Sequence, residues 1–143
     1  MTGRSDKPDR GDQSPFVPVS WGELIDKITI LEIKSERVKS AAALRNIGAE
    51  LSRLRDIAAD LLESNEQVRA AAQELKTINN GIWDIEDRIR AKERDQRFDA
   101  EFIELARSVY RSNDDRSAVK RRINALTGSQ LVEEKQYTEY DRK

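Results

Sequence analysis

The chain has 143 residues, enough for one domain whose core needs no metal or disulfide staple, and it carries 37% apolar and 37% charged residues, a balance suited to long helices with solvated outer faces. Its 26 Lys and Arg against 27 Asp and Glu leave a net charge of −1, so no global field draws nucleic acid or an anionic membrane. The absence of Cys and His excludes disulfides, thiolate nucleophiles, zinc–thiolate sites, Ser-His-Asp and Cys-His catalysis and the His–Glu metal signatures, and leaves chemistry to carboxylate, Lys, Arg, Tyr and hydroxyl groups.

In chain order, "MTGRSDKPDRGDQSP" is polar, rich in turn residues and without apolar periodicity. Residues 1–19 are therefore expected to form a disordered leader ending in a short extended segment, Phe16 to Val19, in which Pro18 biases Val17 away from the helical region. That segment is expected to anchor along the helical core. The leader lacks the apolar run of a secretory signal, and no stretch approaches the about 18 consecutive apolar residues of a membrane span. A cytoplasmic protein without membrane contact is expected.

Ser20 and Glu23 have the spacing of a capping box and predict the start of the first helix. Its main stripe runs Leu24, Ile28, Leu31, Ser35, Val38, Ala42, with a turn expected near Asn46 and Gly48. Ile30 and Ile33 point away from that stripe, among Asp26, Glu32 and Lys34, and give this helix a second apolar face. A second stripe follows at Ile47, Leu51, Leu54, Ala58 and Leu61, a reversal at "ESNEQ", and a third stripe at Ala71, Leu75, Ile78, Ile82, Ile85 and Ile89. Gly81, inside the third, is expected to let a neighbour approach closely.

After "AKERDQRFD" the pattern predicts two shorter helices. The first is capped by Asp99 and carries Phe102, Ile103, Ala106, Val109 and Tyr110; the second starts at Ser112 to Asp114 and stops at Gly128. The expected fold is all-α: an elongated antiparallel bundle of three long helices with coiled-coil-like seams plus a C-terminal pair of shorter helices. The helical domain covers residues 20–128, and the tail, 129–143, is partly docked through Leu131, Val132 and Tyr137.

Three groups of side chains are candidates for function. Asp84, Glu86 and Asp87 form a carboxylate cluster able to hold a hard cation, although pairing with Arg88 and Arg90 at i,i+4 explains them more simply, and no metal is assigned. Arg116 and Lys120, one turn apart, can hold a phosphate or carboxylate, although Asp114 and Asp115 would repel an anion and a solvated basic face explains them more simply; Lys27, Lys34, Arg90 and Arg107 can join them if the fold brings them to one cleft. Ile30 and Ile33, bordered by Asp26, Glu32 and Lys34, form a candidate interaction face, turned either to the C-terminal helices folding back over the first helix or to a second subunit. No glycine loop of the phosphate-binding kind is present, no cofactor is expected, and no reading motif for nucleic acid accompanies the basic residues. Core packing accounts for Trp21 and Trp83.

"VPVSWGELIDKITILEIKSER", "IWDIEDRIRAKE", "FDAEFIELARSVYRSNDDRSAVKRRIN" and "LVEEKQY" together resemble a family of short bacterial helical proteins associated with surface-polysaccharide and glycosyltransferase genes. The resemblance implies a bacterial helical protein and that context, and it assigns no catalytic residue. The first helix also resembles, more weakly, that of the all-helical chorismate mutases, whose site is built from Arg, Lys and a carboxylate or amide. The chain departs from that pattern, because it carries no cation between Arg10 and Lys27.

Two functional classes remain. The favoured one is a structural or protein-interaction module that forms homo-oligomers or docks on a larger partner. The alternative is an enzyme or binder of a small anionic ligand such as a sugar phosphate or nucleotide sugar.

Overall fold

Ser20 opens the first helix as its spacing predicts: its hydroxyl accepts from the Glu23 amide at 3.1 Å. The reciprocal half of the box is not formed, because the Glu23 carboxylate turns to Lys120 on a distant helix. The computed structural model describes residues 12–131 and 133–142. Four helices follow in order, α1 (Trp21–Arg37), α2 (Ala41–Ser64), α3 (Glu66–Arg94) and α4 (Ala100–Thr127). Among the described residues there is no strand, and the fold is an all-α bundle.

The breaks follow capping chemistry. Val38 leaves the helical region, and the Ser40 hydroxyl accepts from the Ala43 amide at 3.3 Å to start α2. The expected turn near Asn46 and Gly48 therefore lies eight residues too late, and Gly48 sits inside α2 with no atom near its Cβ position. An exposed mid-helix glycine is tolerated at a cost of about 1 kcal/mol, which tertiary packing outweighs. Asn65 alone separates α2 from α3, and its side-chain oxygen accepts from the Val68 amide at 3.0 Å. Asp99 caps α4 by accepting from the Phe102 amide at 3.0 Å. Gly128 ends it in the left-handed conformation, φ 63°.

The expected pair of C-terminal helices is one continuous helix, since residues 112–114 stay helical within α4. Ser, Asn and Asp are good caps, but inside a helix each costs at most about 0.7 kcal/mol relative to Ala, and here Leu105, Val119 and Ile123 are buried along the helix on both sides of that stretch. Gly81 makes no close approach to anything. Residues 1–11 of the expected leader lie outside the described residues, and Phe16, Val17 and Val19 are exposed instead of anchored on the core. Leu131 and Tyr137 are exposed too, and Val132 lies outside the described residues. The tail is held instead by an aromatic contact and an ion pair: Tyr140 stacks edge-on against Tyr110 with ring centroids 5.0 Å apart, and Arg142 meets Asp115 at 2.9 Å.

α1 is the shared element. It packs against α2, α3 and α4, whereas α2 and α4 bring no Cα atoms within 8 Å of each other among the described residues. Two ion pairs mark the direction of α4: Arg122 meets Glu74, and Arg88 meets Glu101, so the late part of α4 lies beside the early part of α3. The core joins Leu24, Ile25, Ile28 and Leu31 of α1 to Leu51 and Ala58 of α2, Val68, Ala71 and Leu75 of α3, and Val119 and Ile123 of α4. A helix with neighbours on several sides buries several sides, and each must be apolar or have its polar groups partnered. That is the physical reason for the second face of α1.

Candidate functional site

The face of α1 away from its main stripe carries Gly22, Asp26, Thr29, Ile30 and Ile33, an i, i+3, i+4 succession that places them along one side of the helix. On α4, Asn113, Arg116, Lys120 and Asn124 form a matching row. The two rows meet in the interior together with Asn79 of α3, and the meeting is polar.

Asp26 is 1% exposed and is the centre of this cluster. Arg116 grips it in a forked pair, Nε donating to Oδ1 at 2.9 Å and Nη2 donating to Oδ2. Asn79 Nδ2 donates to the same Oδ1 at 2.9 Å and to Thr29 Oγ1 at 3.0 Å, while the Thr29 hydroxyl donates to the Asp26 carbonyl at 2.8 Å. The bond to Asp26 holds the Arg116 guanidinium above its ordinary pKa against the opposing effect of burial. A buried carboxylate is tolerable only with such partners, because desolvation costs several kcal/mol per ion.

One turn further along α4, the Lys120 ammonium donates to Glu23 Oε2 and Glu133 Oε2, each at 2.7 Å, and stands 4.0 Å from Asp26 Oδ2. Burial pushes Lys120 toward its neutral form, but its bonds to Glu133 and Glu23 outweigh it and raise its pKa. The reciprocal effect, the bond from Lys120, lowers Glu133. Another turn on, Asn124 Oδ1 accepts from the Gly22 amide at 2.8 Å, and Ser129 Oγ accepts from the Trp21 amide at 3.2 Å. With Ser20 serving Glu23, the first three amides of α1 all have side-chain partners, two of them supplied from the other end of the chain.

Beside this cluster α1 and α3 leave an open, mainly apolar slot of about 300 Å³. Ile30, Ile33, Ile82 and Trp83 form its walls, with Asn79 and Arg116 at its polar end and Glu86 and Asp87 also lining it. The Arg37 guanidinium lies 5.6 Å from the centre of the Trp83 ring. At this volume the slot lies at the lower limit for small-molecule sites, which disfavours anything as large as a nucleotide sugar.

The expected site residues are distributed as follows. Ile33 and Asp26, on the candidate interaction face, are each 1% exposed and lie in the interior, where α3 and α4 fold over α1. Ile30 is half-buried at the slot. Glu32 bridges outward to Arg55 of α2 at 3.1 Å and Lys76 of α3 at 3.7 Å, and Lys34 is half-buried. Of the six cations, only Arg116 and Lys120 come together. Lys27 is exposed, Arg90 pairs with Glu86 at 3.2 Å, and Arg107 pairs with Glu104 at 3.5 Å. The expected convergence of all six on one cleft is not formed, because α3 and α4 direct Arg90 and Arg107 to solvent.

The carboxylate group is dispersed. Asp84 pairs with Arg37 at 2.8 Å instead of Arg88, which pairs with Glu101 at 2.9 Å, and Glu86 has the expected i,i+4 partner Arg90. Among the described residues no group of three or more carboxylates is placed to hold a metal ion. None of the helices is long and apolar enough to cross a membrane, among the described residues. Sequence reasoning missed Thr29, Asn79, Asn124 and Glu133. A signal for Asn79 existed: it interrupts the apolar texture between Ile78 and Ile82, where a polar residue needs a buried partner.

A protein-family model matches residues 16–140, and its description is a family of unknown function, DUF6165. No curated protein matches the chain, and no solved structure matches it.

Proposed function

We propose that this chain, which belongs to the family of unknown function DUF6165, is a protein-interaction module that receives an apolar anchor with a basic flank from a larger partner. The observation that carries this reading is the slot between α1 and α3, whose walls are Ile30, Ile33, Ile82 and Trp83 and whose lining includes two carboxylates. Arg116 at the polar end is committed to Asp26, so apolar walls beside the Glu86 and Asp87 carboxylates suit an amphipathic segment that inserts one large side chain and lays Arg or Lys beside it. Asp87 supports this, since it is exposed and makes no ion pair among the described residues. The buried cluster beneath has a supporting role, because Asp26, Arg116 and Asn79 fix the polar end of the slot in one arrangement. The resemblance to proteins associated with surface-polysaccharide genes supports a partner from that machinery.

Binding of amphipathic peptides tests the reading. A helical peptide with Leu and Phe anchors flanked by Arg should shift the indole N–H signal of Trp83, which Trp83→Phe tells apart from that of Trp21. The same peptide with Glu in place of Arg should bind at least about tenfold more weakly, a difference of about 1.4 kcal/mol. Equal binding of the two peptides, or no response at Trp83, excludes the slot as the docking site.

A further inference from the structure

On the other side of Arg116 lies a recess of about 210 Å³ between the start of α1, the α4 row and the tail. Its walls include Asn113, Arg116, Ser117 and Lys120 of α4, Glu23 of α1, and Glu133 and Lys135 of the tail. Three cations, Arg116, Lys120 and Lys135, are matched there by three carboxylates, Glu23, Glu133 and the underlying Asp26. The carboxylates differ in how they are held. Asp26 and Glu23 are fixed on α1, but Glu133 belongs to a segment without regular structure, and its side chain is 52% exposed.

That segment is a strap fastened at two ends. Ser129 Oγ accepts from the Trp21 amide at 3.2 Å, and at the far side Tyr140 bonds Asp114 while Arg142 meets the Arg111 carbonyl at 3.0 Å and Asp115 at 2.9 Å. Between these points, among the described residues, the bond from Lys120 to Glu133 is the polar contact that draws the strap onto the helices. Taking Glu133 away leaves a cation in excess at a nearly buried ammonium, whose side chain is 10% exposed. An incoming oxyanion restores both the charge balance and the lost hydrogen bond.

We propose that Lys120, with Arg116 and Lys135, forms a binding site for a small carboxylate or phosphate anion, and that Glu133 is its tethered occupant, displaced when the anion enters. Lys120 supplies the charge and one N–H, and the Ser117 hydroxyl and Asn113 amide, on the same wall, supply neutral donors for the remaining oxygens. The recess is too small for a nucleotide and suits a single phosphoryl or carboxyl group. A carboxylate on a short strap competes at an effective concentration on the order of mM. A free anion therefore binds weakly to the intact chain and more tightly once the strap carboxylate is neutral.

The test is titration of the full chain with inorganic phosphate and, separately, with acetate, followed by calorimetry and by the backbone amide NMR signals of Ser117 and Asn113. Glu133→Gln should bind at least one of the two anions about tenfold more tightly than wild type, with both amides shifting. Adding Lys120→Met should abolish that gain. Because Lys120→Met removes one partner of a buried cluster, circular dichroism checks its folding, and the amide shifts in Glu133→Gln stand without it. Phosphate binding without acetate binding identifies a phosphoryl site, and the reverse a carboxylate site. The proposal is overturned if Glu133→Gln binds neither anion more tightly than wild type, or if the Ser117 and Asn113 signals stay in place.

Discussion

The Gly22 amide donates to Asn124 Oδ1 at 2.8 Å, and α4 lies so close behind that a β-carbon on Gly22 would stand 2.5 Å from the Lys120 carbonyl oxygen. The glycine is needed here for contact and not for a special φ, since the atoms in the way are backbone and a buried side chain. Gly22→Ala should therefore destabilise the protein by about 1–3 kcal/mol, the range for overpacking, despite the better helix propensity of alanine. Urea unfolding measures it. A neutral or stabilising result would show that α4 does not pack against the start of α1 as described.

Arg116 and Asp26 make the second prediction. Arg116→Met strands a buried carboxylate and should cost about 3–5 kcal/mol. Asp26→Leu combined with Arg116→Met removes both charges, and its cost should fall well short of the sum of the two single costs, because no uncompensated ion remains. Additive losses in this double-mutant cycle would mean that the two side chains do not act as a pair. Arg116→Lys should also be costly, since an ammonium cannot reproduce the fork.

Stability should fall at both extremes of pH, for reasons that can be assigned. Lys120 lowers Glu133, Lys92 and then the Phe102 amide lower Asp99, and Lys92 with Arg88 lowers Glu101. For carboxylates with folded values below their unfolded ones, the stabilisation is present above the unfolded range and disappears as pH falls through the folded values. Lys92, raised by Asp99 and Glu101, and Lys120, raised by Glu133 and Glu23 against burial, behave in the opposite sense. Their contribution is present below their unfolded value and is lost as pH rises through the folded one. Denaturation midpoints should form a plateau from about pH 5 to about pH 10, with losses on either side. Glu133→Gln should make the acid limb shallower, and an unchanged limb would show that the Lys120–Glu133 bond does not form in solution.

Ile30 and Ile33 separate surface from core on a single helix. Ile33, 1% exposed, should not tolerate Asp, and Ile33→Asp should unfold the chain by burying an unpaired carboxylate. Ile30 is half-buried at the slot, so Ile30→Asp should leave a cooperatively folded protein that no longer binds the Arg-flanked peptide. Thermal unfolding followed by circular dichroism distinguishes them. Similar loss of structure in both would place Ile30 in the core and remove the slot as a docking surface.

The parts of the fold visible in the sequence are those whose cause lies within one helical turn. Ser20, Asp99 and Gly128 mark helix ends because a hydroxyl, a carboxylate and a left-handed glycine act on amides and carbonyls a few residues away. The stripes of α2 and α3 are legible for the same reason, as is the ion pair of Glu86 with Arg90. The break at 38–40 shows the limit of this reading, because a serine cap there competed with a more conspicuous asparagine and glycine at 46–48.

What the sequence by itself determined was an all-helical chain in which the first helix has two apolar faces. Tertiary structure alone decided what the second face meets. Its residues pair with Asn79, 53 positions away, and with Arg116, 90 positions away, and no local periodicity encodes such distances. It also decided that residues 112–114 continue a helix, because burial on both sides of them outweighs the small cost of Ser, Asn and Asp inside a helix. The interspersed charges of α1 have the same explanation: Asp26 is polar because Arg116 and Asn79 arrive beside it, and they arrive there only when α3 and α4 fold back over α1.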